Sequence, residues 1–521
     1  MDSLSSTTSI DKEKGVAGGT RVTPAAAAHH VLADVDEKDE DEGAHVAGYE
    51  RNEYTQEEAD AVKRKLDKRV MPLLAAVYFS QFMDKNLLQW TSVMSLPIKG
   101  EHYSLVSMAF YLGFLVFEVP TTMISQHFPL AKYLGVNIII WATALILHAA
   151  SANFGFFFAM RFLLGMAESC VGPILIAMVA GMYPKHQQAK RISLFYCGNG
   201  LTNVLGGLIA YGVTFYKGDG IAHWRILYII MGALAYAVGI CVLIWLPDSL
   251  ATATFLSERE KVVAFERVRD NQTGTRNGVT KRYQVVEALT DPKTWILLLL
   301  TALSSIPNGG LASFSSLIIK GFGYTSRETI LLQLPRGAIA ALTTIGVCQL
   351  SDRLGTRMLP ILVAVVPTVI GAALLVASSG GSKSMSLAGV FLAETYGSAL
   401  ALQYAWTASN TGGATKKSVV NGAFLSTFAL SNIIGTQIFR PSAAPAYTGG
   451  KIAILVLFGA MIPTVLSMYA YTQYLNRQKT AQLARLVEEH GWSPEEVDAQ
   501  RSRAAMEDKT DRENVFQTYV S

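Results

Sequence analysis

An all-α, polytopic membrane protein is the fold class this sequence predicts, with twelve spanning helices arranged as two halves of six. Three observations carry the prediction. Apolar stretches of about 20 residues recur along the chain, the length that crosses ~30 Å of hydrocarbon. Only 16% of the 521 residues are charged and 50% are hydrophobic, with a mean hydropathy of +0.29, whereas roughly 25% charged residues is usual for a soluble domain. One long polar segment, 248–292, divides the apolar stretches six and six. The cysteines Cys170, Cys197, Cys241 and Cys348 all fall inside apolar runs, which leaves none for an extracellular disulfide framework.

Taken in order, residues 1–68 read as a disordered, acidic cytosolic tail. Residues 1–62 hold 5 Lys/Arg against 15 Asp/Glu, including the run Asp36 to Glu42, with almost no aromatic surface to bury. No secretory signal pattern is present, so insertion is expected to begin with the first span. Spans 1 to 6 are placed at 70–95, 104–125, 131–150, 154–178, 190–215 and 225–246, and spans 7 to 12 at 293–319, 329–350, 357–378, 385–407, 418–439 and 451–474. The N-terminal half is then 69–247, the central loop 248–292, the C-terminal half 293–475 and the C-terminal tail 476–521.

Lys63, Arg64, Lys65, Lys68 and Arg69 crowd the start of span 1 and place the N-terminus in the cytosol by the positive-inside rule. The loops that follow agree: Lys132, Lys185, Lys190, Arg191, Arg353, Arg357, Lys416 and Lys417 lie on the same side, and the central loop adds a comparable number. Both termini and the central loop are therefore expected in the cytosol, and the sequon Asn271-Gln272-Thr273 is expected to stay unglycosylated. A short echo between Ile124-Ser125-Gln126-His127-Phe128 after span 2 and Leu350-Ser351-Asp352-Arg353-Leu354 after span 8 falls where a six-plus-six duplication would put it.

An ionised side chain deep in a bilayer costs about 2.5–3.5 kcal/mol even on permissive scales, so each one demands a reason. Asp84, Lys85, Glu118, Arg161, Glu168, Arg336 and Glu394 are the clear cases. Arg161 and Glu168 are seven residues apart, close to two helical turns, and project to nearly the same face. A cation and an acid so placed can bind the carboxylate of an anionic solute and take up and release a proton. The alternative is a salt bridge that only stitches helices together. Asp84 is a second candidate for proton coupling and Lys85 a candidate solute contact, although consecutive helical residues point about 100° apart and cannot both face one cavity squarely. Glu118, ahead of Pro120, suits a structural or gating pair with a basic residue near the span 4–5 loop. In the second half, Ile306-Pro307-Asn308-Gly309-Gly310 is expected to break span 7. Asn308, Gln403, Tyr404 and Asn432 are candidates to line the solute site, and Arg336 lies near the outer end of span 8, where it either attracts anions or snorkels to headgroups.

The loop Asp352-Arg353-Leu354-Gly355-Thr356-Arg357 resembles the signature loop of the major facilitator superfamily. Further strings resemble its anion:cation symporter branch, and within it the fungal allantoate permease-like group. They are Phe82-Met83-Asp84-Lys85-Asn86, Phe117-Glu118-Val119-Pro120, Arg161-Phe162-Leu163-Leu164-Gly165-Met166-Ala167-Glu168, Trp406-Thr407-Ala408-Ser409-Asn410 ahead of Lys416-Lys417, and Asn432-Ile433-Ile434-Gly435 with Phe439-Arg440. The resemblance covers about 69–475 and implies the major facilitator fold, anion binding by Arg161 and proton coupling by Asp84 and Glu168. It implies a gate at Asp352, Arg353 and Arg357. Two departures stand out: Lys85 where the family usually has arginine, and a first-half loop, Gln126 to Lys132, without the family's acid. Lysine is a point charge without the guanidinium fork, so solute geometry is expected to differ from that of relatives.

Catalysis is not expected. No phosphate-binding Gly-Lys-Ser/Thr loop, His/Cys metal cluster or Gly-x-Ser-x-Gly elbow is present, so the chain is read as having no cofactor or metal and as drawing energy from a proton gradient. The expected function is proton-coupled import, by alternating access, of a small organic anion such as allantoate, ureidosuccinate or nicotinate across a plasma membrane. The expected partners are that solute and the lipid bilayer, with no nucleic acid and a functional monomer. Two alternatives stay open: an exporter of an anionic metabolite on the same fold, and a nutrient sensor with vestigial transport.

Overall fold

The computed structural model describes residues 53–521 apart from 126, 152, 185–186, 189–190, 193–197, 219, 269–280, 379–381, 440–442, 445 and 507–508. The described chain is helical throughout. Span 1 runs Met71–Thr91, span 2 Glu101–Ile124, span 3 Leu130–Ala149, span 5 Gly198–Val213 and span 6 His223–Trp245. Span 7 is Pro292–Gly321, span 9 Met358–Ala377, span 11 Ala414–Ile438 and span 12 Thr448–His490. Three spans come in pieces: span 4 as Phe154–Glu168 and Val171–Met182, span 8 as Ser326–Leu331 and Gln333–Leu354, and span 10 as Lys383–Ala393 and Tyr396–Ser409.

Ten of the twelve are long and apolar enough to cross a bilayer on those grounds alone. Span 1 falls short because Gln81, Asp84, Lys85, Asn86 and Gln89 dilute it, and the described helix of span 5 is only 16 residues long. Within the halves, span 3 packs along span 6, span 2 across span 4, span 7 across span 11 and span 9 across span 10, while spans 2, 5 and 1 meet spans 11, 8 and 7 between the halves. Glycines allow the closest crossings: a Cβ on Gly113 would sit 2.2 Å from the Phe162 carbonyl oxygen, and one on Gly165 2.0 Å from that of Phe110.

Spans 4 and 10 correspond under a six-plus-six duplication, and both break beside an acid, Glu168 and Glu394. In span 4 the break has a local cause: Pro173 lacks an N–H and its ring crowds the carbonyl four residues back, at Ser169. In span 10, Thr395 turns its hydroxyl to the Ala364 carbonyl of span 9 at 2.8 Å.

The glycine-rich stretch of span 7 does not break the helix. Pro307 is carried inside a continuous helix, and Gly309 and Gly310 serve contact with span 11 instead. A Cβ on Gly309 would lie 2.4 Å from the Asn432 carbonyl oxygen, and one on Gly435 2.0 Å from that of Ile306.

The expectation of disorder through residue 68 is also corrected. Gln56–Arg69 is a helix capped by Thr55, whose hydroxyl accepts from the Glu58 N–H at 3.2 Å while the Glu58 carboxylate accepts from the Thr55 N–H at 2.9 Å. It buries Ala59, Val62 and Leu66 and pairs with the central segment through Glu58–Arg259 at 3.0 Å and Lys65–Glu260 at 2.7 Å. Most of the acidic tail, including Asp36 to Glu42, and the sequon at Asn271 lie outside the described residues.

The C-terminal segment is part of the fold. Asp511 is fully buried between Lys293 at the start of span 7 and Lys416 at the start of span 11, with Lys416 Nζ 2.7 Å from its carboxylate. Lys479 of span 12 donates to the Asp511, Asn514 and Gln517 carbonyls. Trp406 Nε1 and Asn410 Nδ2 donate to the Val520 carbonyl, and the Arg357 N–H to that of Ser521. Burial opposes the ionised form of Asp511, but Lys293 and Lys416 outweigh it and hold the carboxyl below the usual range. The N-terminal helix, the central segment and this clasp share one face of the molecule, here the tail face; the other is the far face.

Candidate functional site

Spans 1 and 4 bring Asp84, Lys85, Arg161 and Glu168 together inside the N-terminal half. Asp84, Arg161 and Glu168 are 1%, 3% and 0% exposed, and no direct ion pair joins the four among the described residues. Both carboxylate oxygens of Asp84, both of Glu168 and Nε of Arg161 have no hydrogen-bond partner among the described residues. Arg161 reaches only the backbone carbonyls of Asp84 and Lys85, each at a long 3.5 Å, with its guanidinium 5.5 Å from the Phe110 ring. A salt bridge that merely stitches spans is therefore not what the side chains form. Buried ionisable groups left without partners are costly in their charged form.

Span 1 resolves the competition between its neighbouring charges by pointing them apart. Lys85 and Arg161 line one small cavity with Ser107 and Tyr111 of span 2 and Ser313 of span 7. Lys85 Nζ sits among aromatic rings of both halves, 5.5 Å from Phe82, 5.6 Å from Tyr111 and 5.7 Å from Phe428. Asp84 instead turns into the half, beside the Trp141 indole. The Gln81 amide donates to the Glu168 backbone carbonyl at 3.3 Å, tying span 1 to the break in span 4.

In the second half, Asn308 and Asn432 are brought together, although with each other. Asn308 Nδ2 donates to Asn432 Oδ1 at 2.7 Å, and the Tyr396 hydroxyl donates to Asn308 Oδ1 at 2.9 Å. Tyr396, which begins the second piece of span 10, was not singled out from the sequence because a tyrosine beside a helix break carries no periodic signal. Gln403 is fully buried and accepts from Ser304 at 3.0 Å, and Tyr404 packs edge-on to Phe424. Neither lines the cavity that holds Lys85 and Arg161.

The gate residues divide. Glu118 is buried with Oε1 lacking a partner among the described residues, and much of the loop that was to supply a basic partner lies outside them. Asp352 and Arg353 are exposed. Arg357 Nη1 bonds the Ser351 hydroxyl at 2.6 Å and lies 3.6 Å from Asp352, so the loop is tied to itself and to the C-terminus.

Hydrogen bonds that join the two halves gather at the far face. Tyr103 donates to the Ser313 carbonyl at 2.6 Å, Ser104 to that of Thr436 at 2.7 Å, and Arg327 to that of Thr214 at 2.9 Å. Deeper in, Arg336 neither snorkels nor stands open to anions: it pairs with Glu394 and bonds Gln333, Ser315 and, across the halves, Gln89 at 3.3 Å. Ser315 also donates to Gln89 at 2.7 Å.

The sequence pattern described as the Major Facilitator Superfamily matches residues 71–436. Among curated proteins, the chain is 34% identical to the allantoate permease of Saccharomyces cerevisiae, covering 89% of this chain and 86% of that one. It is also 34% identical to a thiamine pathway transporter of the same yeast, covering 80% and 81%. Among solved structures, a bacterial homologue of the human lysosomal transporter Spinster, in an inward-facing and occupied conformation, matches with a TM-score of 0.59 at 15% identity over 78% of this chain and 96% of that one.

Proposed function

The chain belongs to the Major Facilitator Superfamily, a multi-pass membrane transporter of small solutes and not an enzyme, and from that premise we propose that it imports a small organic anion together with protons. The supporting observation is the set of buried, unpaired charges in the N-terminal half: two cations on one cavity and two acids without hydrogen-bond partners behind them. Arg161, with its planar fork, receives the carboxylate, and Lys85 adds charge from the seam between the halves. Asp84 and Glu168 take protons from the side that is open and release them after the halves rock about the site. Closure of the far face by Gln89, Ser315 and Arg336 is the inward-facing stage, with the tail face in the cytosol and the protein, as a monomer, in the plasma membrane.

Allantoate leads the solute candidates because of the yeast permease, and nicotinate and ureidosuccinate are its small, planar or branched carboxylate competitors. The test is uptake of labelled allantoate, ureidosuccinate and nicotinate into cells lacking related permeases, at two external pH values. Accumulation of one acid that rises at the lower pH and collapses with a protonophore is the expected result. Equal accumulation of none, or uptake indifferent to pH, rejects the reading.

A further inference from the structure

The Lys85 ammonium makes no hydrogen bond or ion pair among the described residues. It sits instead among three aromatic rings, 5.5 Å from the centroid of Phe82, 5.6 Å from that of Tyr111 and 5.7 Å from that of Phe428. Phe82 belongs to span 1 and Tyr111 to span 2, but Phe428 lies inside span 11, so one ring of the three comes from the other half. An ammonium carries three N–H donors and is strongly hydrated in water, and ring faces within about 6 Å offset only part of that loss. A carboxylate, which accepts charge-assisted hydrogen bonds, is the stronger partner.

The Phe428 backbone is held from behind by a ladder of oriented hydrogen bonds. The Tyr396 hydroxyl of span 10 donates to Asn308 Oδ1 of span 7 at 2.9 Å, Asn308 Nδ2 donates to Asn432 Oδ1 at 2.7 Å, and Asn432 Nδ2 donates to the Phe428 carbonyl at 2.7 Å. The oxygen and the nitrogen of each amide are thereby both used, which fixes one orientation for the pair and ties the turn that bears Phe428 to spans 7 and 10. Neither asparagine lines the cavity that Lys85 shares with Arg161.

Tyr111 lines that cavity too, whereas Phe82 and Phe428 do not. We propose that Phe428 is a positioning residue of the anion site: its ring holds the Lys85 ammonium at the seam between the halves until an anion, received by Arg161, competes for it. The inference rests on the anion-import reading above. Its consequence has a sign. Ring and anion compete for one cation, so removing the ring tightens anion binding, whereas removing a residue that only packs around the site weakens it.

The experiment measures binding of labelled allantoate, ureidosuccinate and nicotinate to the purified unaltered protein, to Phe428→Leu, which removes the ring face, and to Phe428→Tyr, which keeps it. The acid that the unaltered protein binds is expected to bind Phe428→Leu roughly three- to tenfold more tightly, as the loss of one competing cation–π contact requires, and to bind Phe428→Tyr with unaltered affinity. In a Lys85→Met background, Phe428→Leu should bring no such gain. Unchanged or weaker binding by Phe428→Leu, or the same gain without Lys85, overturns the proposal. Melting temperatures of the same detergent-solubilised proteins, taken with no acid added, check the contact itself and decide if Lys85→Met binds too weakly to measure. Phe428→Leu should cost on the order of 1–2 °C more with Lys85 than with Lys85→Met, and equal losses overturn the proposal as well. Binding of none of the three acids by the unaltered protein overturns the anion reading and this proposal with it, whereas a bound acid whose affinity ignores Phe428→Leu overturns this proposal alone.

Discussion

Arg161 separates charge from geometry in the site. Its acceptors are two backbone carbonyls at a long 3.5 Å, one on each arm of the guanidinium, and in the proposed function a carboxylate takes both arms instead. Arg161→Lys keeps the charge and loses the fork, and solute affinity is expected to fall roughly tenfold, the worth of one charge-assisted hydrogen bond. Arg161→Ala is expected to abolish uptake with surface level retained; normal affinity in the molecules that reach the surface would remove Arg161 from the site. Glu168→Gln and Asp84→Asn separate coupling from carriage. Each is expected to lose concentrative uptake while preserving counterflow exchange, which moves solute both ways with no net proton movement, and unchanged pH-driven accumulation in both would reject the two acids as carriers. These residues were legible in the sequence because a charge inside an apolar run is expensive and announces itself. Tyr396 was not, because a tyrosine near a helix end looks the same whether it meets headgroups or turns inward. Only the packing of span 7 beside it decides which.

At the scale of the element, the spans were legible from hydropathy to within a few residues for most of the chain, while their interruptions were not. Pro173 explains the break in span 4, but Pro307 sits in an unbroken helix, so proline alone does not tell a break from a tolerated bend. Around Pro307, span 11 lies in close contact with Gly309 and Gly310, and span 7 runs through as one helix. The far-face closure is likewise invisible in the sequence, since Gln89, Ser315, Gln333, Arg336 and Glu394 are scattered over 306 positions. Gln89 is the one N-terminal-half side chain in this inner cluster among the described residues, with Tyr103 and Ser104 bonding the second half nearer the far face. Gln89→Leu leaves Arg336 and Glu394 paired but cuts the bonds of Gln89 to Ser315 and Arg336 across the halves, and is expected to weaken the closed far face by roughly 1–3 kcal/mol. A cysteine at the outer part of span 7, such as Ser313→Cys, which keeps the backbone carbonyl that accepts from Tyr103, gives the readout: faster labelling by an impermeant thiol reagent in the Gln89→Leu background than in its absence. Equal labelling rates would show that the latch does not hold the far face.

At the scale of the whole molecule, the two-half plan follows from the polar segment that splits the spans, while the role of the C-terminus does not. A run such as Thr510-Asp511-Arg512 reads as solvated tail until it is seen buried against lysines from spans 7, 11 and 12. Removing one partner of a buried ion pair costs about 3–5 kcal/mol, so Asp511→Asn or deletion of residues 510–521 is expected to lower the melting temperature of the detergent-solubilised protein and its surface level. Because the folded-state pKa of Asp511 is depressed, its contribution is full above the unfolded value of about 3.9 and is lost only as pH falls below that. The clasp should thus leave the stability of the intact protein flat between about pH 5 and 8, and a steep Asp511-dependent loss within that window would contradict the ion-pair assignment. Topology has its own check: epitopes in the N-terminal helix, the central segment and the C-terminus should all be spared by protease added outside intact cells.

Coupled movement of an anion and a proton through one molecule is the central claim, and it is tested most directly with purified protein in vesicles that enclose a pH-sensitive dye. Allantoate added outside should acidify the interior of vesicles holding the unaltered protein. The same addition should leave the pH steady with Glu168→Gln and with Arg161→Ala. Labelled allantoate entering without acidification, or acidification undiminished in both variants, would contradict it.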